Sequence, residues 1–138
     1  AELYTLAEAG KLREPEVLKG QVDRVLRSDR AALFVETFCT QWLDLRRLDA
    51  IKPEATPSPR YDEAVQQSSR REVFALFAAL LRDDRPVTAL ADADFAVVDP
   101  VLARFYDLPG VTGDGFRVVP LPKDSPRGGL LGTSAVLT

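Results

Sequence analysis

The sequence predicts a mainly α fold: a compact array of four to five helices and an irregular C-terminal third with room for one short β-hairpin. Three observations carry this. Apolar residues recur at helical spacing over residues 31–51 and again over about 61–82. Very short loops join the first elements, as in arrays of antiparallel neighbours. Beyond Asp92 the helical pattern gives way to Pro- and Gly-rich turn signals.

Residues 2–9 read as a short helix closed by Gly10, a residue suited to the left-handed backbone at a helix C-terminus. Pro15 opens a second helix, with Glu16 where the helix dipole favours an acid. Val17, Leu18, Val22, Val25 and Leu26 are its expected buried face, and Ser28 or Asp29 the cap of the next helix. Residues 31–51 then form the central helix. Its apolar side gathers Phe34, Val35, Phe38, Trp42, Leu45 and Leu48, with Cys39 at the margin as a packed, inert thiol. Trp42, the chain's single tryptophan, is read as the structural keel, buried mid-stripe.

Residues 52–60 hold three prolines and must be an extended loop. The next helix places Val65, Val73, Leu76, Phe77 and Leu80 on one face, with Glu72 inside the same arc. Pro86 starts a one-turn helix through Leu90, and Asp99-Pro100 caps a small helix from Val101 to Tyr106. The run Phe95-Ala96-Val97-Val98 is short and apolar, and residues 116–121 suit an edge strand because of Pro120 and Pro122. An apolar helix begins at Leu130.

Composition excludes several functions. A net charge of −3 gives no electrostatic footprint for nucleic acid, and no apolar run is long enough to span a membrane. With no His and no Met, the chain lacks His-based triads, imidazole metal ligands and the usual axial ligands of haem iron. One cysteine leaves the redox compartment open. The chain opens on Ala-Glu-Leu and closes on an apolar run, so a piece of a longer protein is expected, with Leu3, Leu131 and Leu137 uncovered and available for self-association.

No catalytic residue is assigned. Glu72 and Arg127 join Trp42 as structural candidates. Glu72 is expected to be held by an arginine such as Arg71, Arg104 or Arg127, which would lower its pKa, and Arg127 to anchor its Gly-Gly turn to a carboxylate. Asp92, Asp94 and Asp99 form a weak oxygen-ligand set for Ca²⁺ or Mg²⁺, with turn and cap roles the stronger reading. A partner- or carbohydrate-binding module would show an exposed aromatic patch around Tyr61, Phe105 or Tyr106.

Several segments occur together in order: residues 6–12 (Leu-Ala-Glu-Ala-Gly-Lys-Leu), Gln41-Trp42-Leu43-Asp44-Leu45, Asp92-Ala93-Asp94-Phe95, Leu102-Ala103-Arg104-Phe105-Tyr106, and Arg127-Gly128-Gly129-Leu130-Leu131 with residues 134–138. The chain thereby resembles domain of unknown function 1592 over residues 1–112, running into the start of domain of unknown function 1588 over residues 113–138. The resemblance implies a planctomycete-type, multidomain, exported protein, periplasmic or at the cell surface, whose neighbouring domains carry c-type haem. Haem attachment and cofactor are both absent from this chain itself. The chain departs from the family pattern with Phe105-Tyr106-Asp107 for His-Tyr-Gly, Glu72-Val73 for Glu-Thr, and Asp99-Pro100 for Asn-Glu. The leading expectation is a non-catalytic structural or docking module whose partners are the neighbouring domains of its own polypeptide. The alternative is one part of a haem-dependent redox enzyme with its site between this module and those neighbours.

Overall fold

A computed structural model describes residues 2–56 and 58–137, and the chain divides into two compact units, Ala1–Phe34 and Val35–Thr138.

The first unit holds α1 (Glu2–Glu8), α2 (Pro15–Leu26) and the opening turns of α3 (Asp29–Trp42). Gly10 adopts the left-handed backbone, φ 68°, that ends α1, and Pro15 sits in the first turn of α2 as its fixed φ favours. The expected apolar face of α2 is not a buried one. Leu18, Val22 and Val25 are 40–49% exposed, and Gln21 is the helix's one buried side chain. The Gln21 amide donates to Glu2 Oε1 at 2.7 Å, and Arg24 Nη2 donates to Gln21 Oε1 at 2.8 Å. A polar knot, rather than the apolar stripe, ties α1 to α2.

In the second unit α3 runs only to Trp42. Asp44 takes a left-handed backbone (φ 49°, ψ 44°), which Asp tolerates better than most residues, and a 3₁₀ helix follows from Leu45 to Ala50. The break turns Leu45 and Leu48 inward, each at most 3% exposed. It also corrects the keel. Trp42 is 50% exposed, with Phe34 at 53% and Phe38 at 39%, while Val35 and Cys39 are the buried residues of α3.

α4 (Glu63–Arg82) is the centre of this unit. Asp62 caps it by accepting from Val65 N at 2.8 Å, and Val65, Val73, Leu76, Ala79 and Leu80 are buried along it. Against it pack β1 (Phe95–Val98), α5 (Pro100–Phe105) and α6 (Ser134–Leu137). β1 pairs antiparallel with β2 (Arg117–Pro120), Phe95 opposite Pro120 and Val98 opposite Arg117. The connection between them carries α5, so the expected hairpin is a two-stranded ladder closed by a helix. Pro120 lies at its end, where a missing N–H costs least. Asp99 caps α5 by accepting from Leu102 N at 2.8 Å, which leaves Leu102 and Val98 fully buried beside Tyr61 and Tyr106.

Candidate functional site

The buried side of α4 carries three polar residues within little more than one turn: Ser68, Ser69 and Glu72. Each finds a partner on a different element. The Ser68 hydroxyl donates to Asp99 Oδ2 at 2.7 Å, and the Ser69 hydroxyl meets that of Ser134 at the start of α6. Glu72, 3% exposed, accepts from the Tyr106 hydroxyl at 2.6 Å, and that hydroxyl accepts from Ser134 N at 2.9 Å. One phenol thus links α4, the end of α5 and the start of α6. Arg127 closes the top, its guanidinium carbon 3.8 Å from the Tyr106 ring centroid and its Nη1 donating to Gly132 O at 3.2 Å.

Burial pushes the Glu72 carboxyl up to about 7, against the lowering pull of the Tyr106 hydrogen bond and the Arg127 charge. The expectation of an arginine-paired, lowered carboxylate is therefore corrected. Among the described residues no arginine hydrogen-bonds Glu72; its Oε2 accepts from a phenol, and desolvation outweighs the effects that would lower its pKa. Burial and the Glu72 charge likewise push the Tyr106 phenol far above its ordinary range. Arg127, expected to grip a carboxylate, instead grips a backbone carbonyl and an aromatic face. The void beside Glu72, Tyr106 and Arg127 measures about 10 Å³, room for no more than one water.

The glycines after Arg127 are there for space. A Cβ on Gly129 (φ 61°) would lie 2.5 Å from Leu90 O, and one on Gly128 would lie 2.7 Å from Ala93 O. This close approach fixes where Arg127 begins and so how its guanidinium reaches Tyr106.

An open cleft of about 760 Å³ lies next to this network, lined among others by Lys52, Tyr61, Phe105, Arg127, Ser134 and Leu137. Arg127 and Ser134 belong to both. The rings of Tyr61 and Phe105 meet edge-on at 5.9 Å, and Arg60 pairs with Asp107 at 2.9 Å. Tyr61 and Tyr106 are 5% and 7% exposed and Phe105 is half-buried, so the patch considered for carbohydrate or partner binding is not an exposed one, and Tyr61 and Phe105 reach solvent only as part of the cleft wall. Exposed rings lie elsewhere: Phe38 and Trp42 cluster with the half-buried Phe77, centroids 5.3–6.4 Å apart.

Of the acids considered for a cation, Asp92 and Asp94 are exposed and Asp99 spends both carboxylate oxygens on its helix cap and Ser68. Among the described residues no group of acids, Cys or His is arranged to hold a metal ion. Cys39 is fully buried, and burial raises its thiol to about 11.

The fold and the closed network define a mainly helical module built around one buried carboxylate. Residues 1–108 match the family described as "PSD4: Protein of unknown function (DUF1592)", and the chain belongs to that family. Glu72 and Tyr106 lie inside the matched segment, Arg127 and Ser134 beyond it. Neither the curated proteins nor the solved structures contain a match to this chain. Sequence reasoning picked out Glu72 and Arg127 but missed Tyr106 as the link and Ser134 altogether. The available signal for Tyr106 was a polar tip on a helix otherwise reading as core; for Ser134 there was none.

Proposed function

We propose that this chain is a non-catalytic structural and docking module of a larger exported bacterial protein, extracytoplasmic and of planctomycete type, whose other domains carry c-type haem. On this reading residues 113–138 open a second module, of the kind described as domain of unknown function 1588. The cluster of Phe38, Trp42 and Phe77 carries the docking part: three rings in contact, with Trp42 half in water, are the composition of an interface core rather than of a solvated surface. Its occupant is a neighbouring domain of the same polypeptide. The non-catalytic part is supported by the Glu72 network, which has no room for a substrate.

The test is made on the intact native protein. Its absorbance spectrum, recorded with haem extraction under denaturing conditions, should show covalently held c-type haem. Hydroxyl-radical footprinting should find the peptide bearing Phe38 and Trp42 protected in the intact protein and reactive in this chain alone. Equal reactivity in both would defeat the docking reading, and a spectrum without haem bands would remove the cytochrome context. A second reading, part of a haem-dependent redox enzyme, is favoured by the open cleft beside Arg127. It requires that cleft, rather than the Trp42 face, to be the one protected in the intact protein.

A further inference from the structure

We infer that the cleft beside Arg127 binds a small amphipathic anion, its acidic head taken by Lys52 and Arg127 and its apolar body lying against Tyr61, Phe105, Ile51 and Leu137. Its volume, about 760 Å³, is that of a small-molecule site, and its lining is mostly apolar with a few polar groups, the usual composition of such sites. Among the described residues two cations line it and no acid does. Neither cation forms an ion pair among the described residues.

Arg127 spends Nη1 on Gly132 O and one face on the Tyr106 ring, and among the described residues Nε and Nη2 have no hydrogen bond. Stacking has already fixed the half-buried guanidinium, so a carboxylate or phosphate that pairs with it orders little that is not ordered beforehand. The acids that feel this charge, Glu72 and Asp107, hydrogen-bond Tyr106 and Arg60 instead, and neither lines the cleft. A second polar group there also lacks a partner. The Tyr61 hydroxyl is the one buried side-chain polar atom among the described residues with no hydrogen bond, and buried polar groups of native proteins are rarely left so. The rim is held in place by Gln66, whose amide donates to Leu48 O at 2.6 Å and Ile51 O at 2.8 Å.

This inference is independent of the docking reading, which concerns another set of residues. It is tested by titrating the full chain with phenylbutyrate, phenylbutanol and inorganic phosphate while following backbone amides by NMR. The acid should move amides of Ile51, Lys52, Phe105, Arg127 and Ser134 and bind about 10-fold more tightly than the alcohol, the worth of one charged hydrogen bond. Phosphate alone should bind more weakly than the acid. Lys52→Glu changes an exposed side chain and should weaken the acid about 10-fold while leaving the alcohol unchanged. Arg127→Gln should do the same, with the Lys52 variant deciding the matter if loss of stacking unfolds the chain. Equal binding of acid and alcohol, phosphate binding as tightly as the acid, shifts that map elsewhere, or no shift at millimolar ligand would each overturn the inference.

Discussion

Glu72 shows how one buried side chain sets a pH dependence. Its carboxyl rises from 4.5 to about 7 on folding, so the native state holds this proton more tightly than the unfolded chain does. The stability tied to the protonated form is fully present below about 4.5, is lost as the pH climbs through 7, and is flat above; for one group this is about 3 kcal/mol. Glu72→Gln keeps an acceptor for the Tyr106 hydroxyl without the ionisation. Its melting temperature should match the parent's near pH 4 and exceed it at pH 8, and a difference that stays constant with pH would refute the account. Gly129→Ala should cost about 2–3 kcal/mol in urea unfolding, since a Cβ there meets Leu90 O at 2.5 Å on a backbone already at positive φ. The Trp42 indole, half exposed, should be quenched by iodide in the folded chain, whereas the fully buried Cys39 should react with a disulfide reagent only after unfolding.

At the scale of elements, caps and packing pull in different directions. Asp99 does two jobs, closing the first turn of α5 through Leu102 N and binding Ser68 across to α4. Asp99→Ala should therefore cost more than a bare cap, about 2 kcal/mol by chemical denaturation, whereas Asp62→Ala, which removes the single hydrogen bond its side chain accepts among the described residues, from Val65 N, should cost about 1. α3 is the element whose sequence misleads. Its largest apolar residues define an arc centred on Phe38 and Trp42, yet the smaller Val35 and Cys39 make the buried contact. Periodicity finds where apolar area is densest on a helix. Which part of that arc turns inward is settled by the partner, and the surface the core offers α3 fits a valine and a cysteine rather than a stack of rings.

Across the whole molecule the two units differ in how they are held. The first relies on the Glu2, Gln21 and Arg24 knot, with Leu18, Val22 and Val25 of α2 largely in water, while the second has an apolar core with members from Val35 to Ala135 and a smaller cluster around Leu102. Amides of α1 and α2 should exchange with deuterium well before those of α4, and protection in α2 equal to that of Val73 or Leu76 would contradict this. The sequence by itself determined what depends on local chemistry. The α4 helix, the Pro100 helix with its Asp99 cap, the left-handed Gly10, the apolar run at residues 95–98 and the edge strand within residues 116–121 follow from spacing, caps and breakers that act within a few residues. It also put Glu72 inside the apolar arc of α4, where an acid is either at the edge of the packing or buried and paired; the structure buries it. Only the tertiary structure decided that a tyrosine rather than an arginine holds that acid, that Ser134 completes the link, and that Trp42 faces water. Those outcomes join positions as far apart as Glu72 and Ser134, and the free energy that selects among such partners comes from desolvation and fit at the point of contact, which no local pattern records.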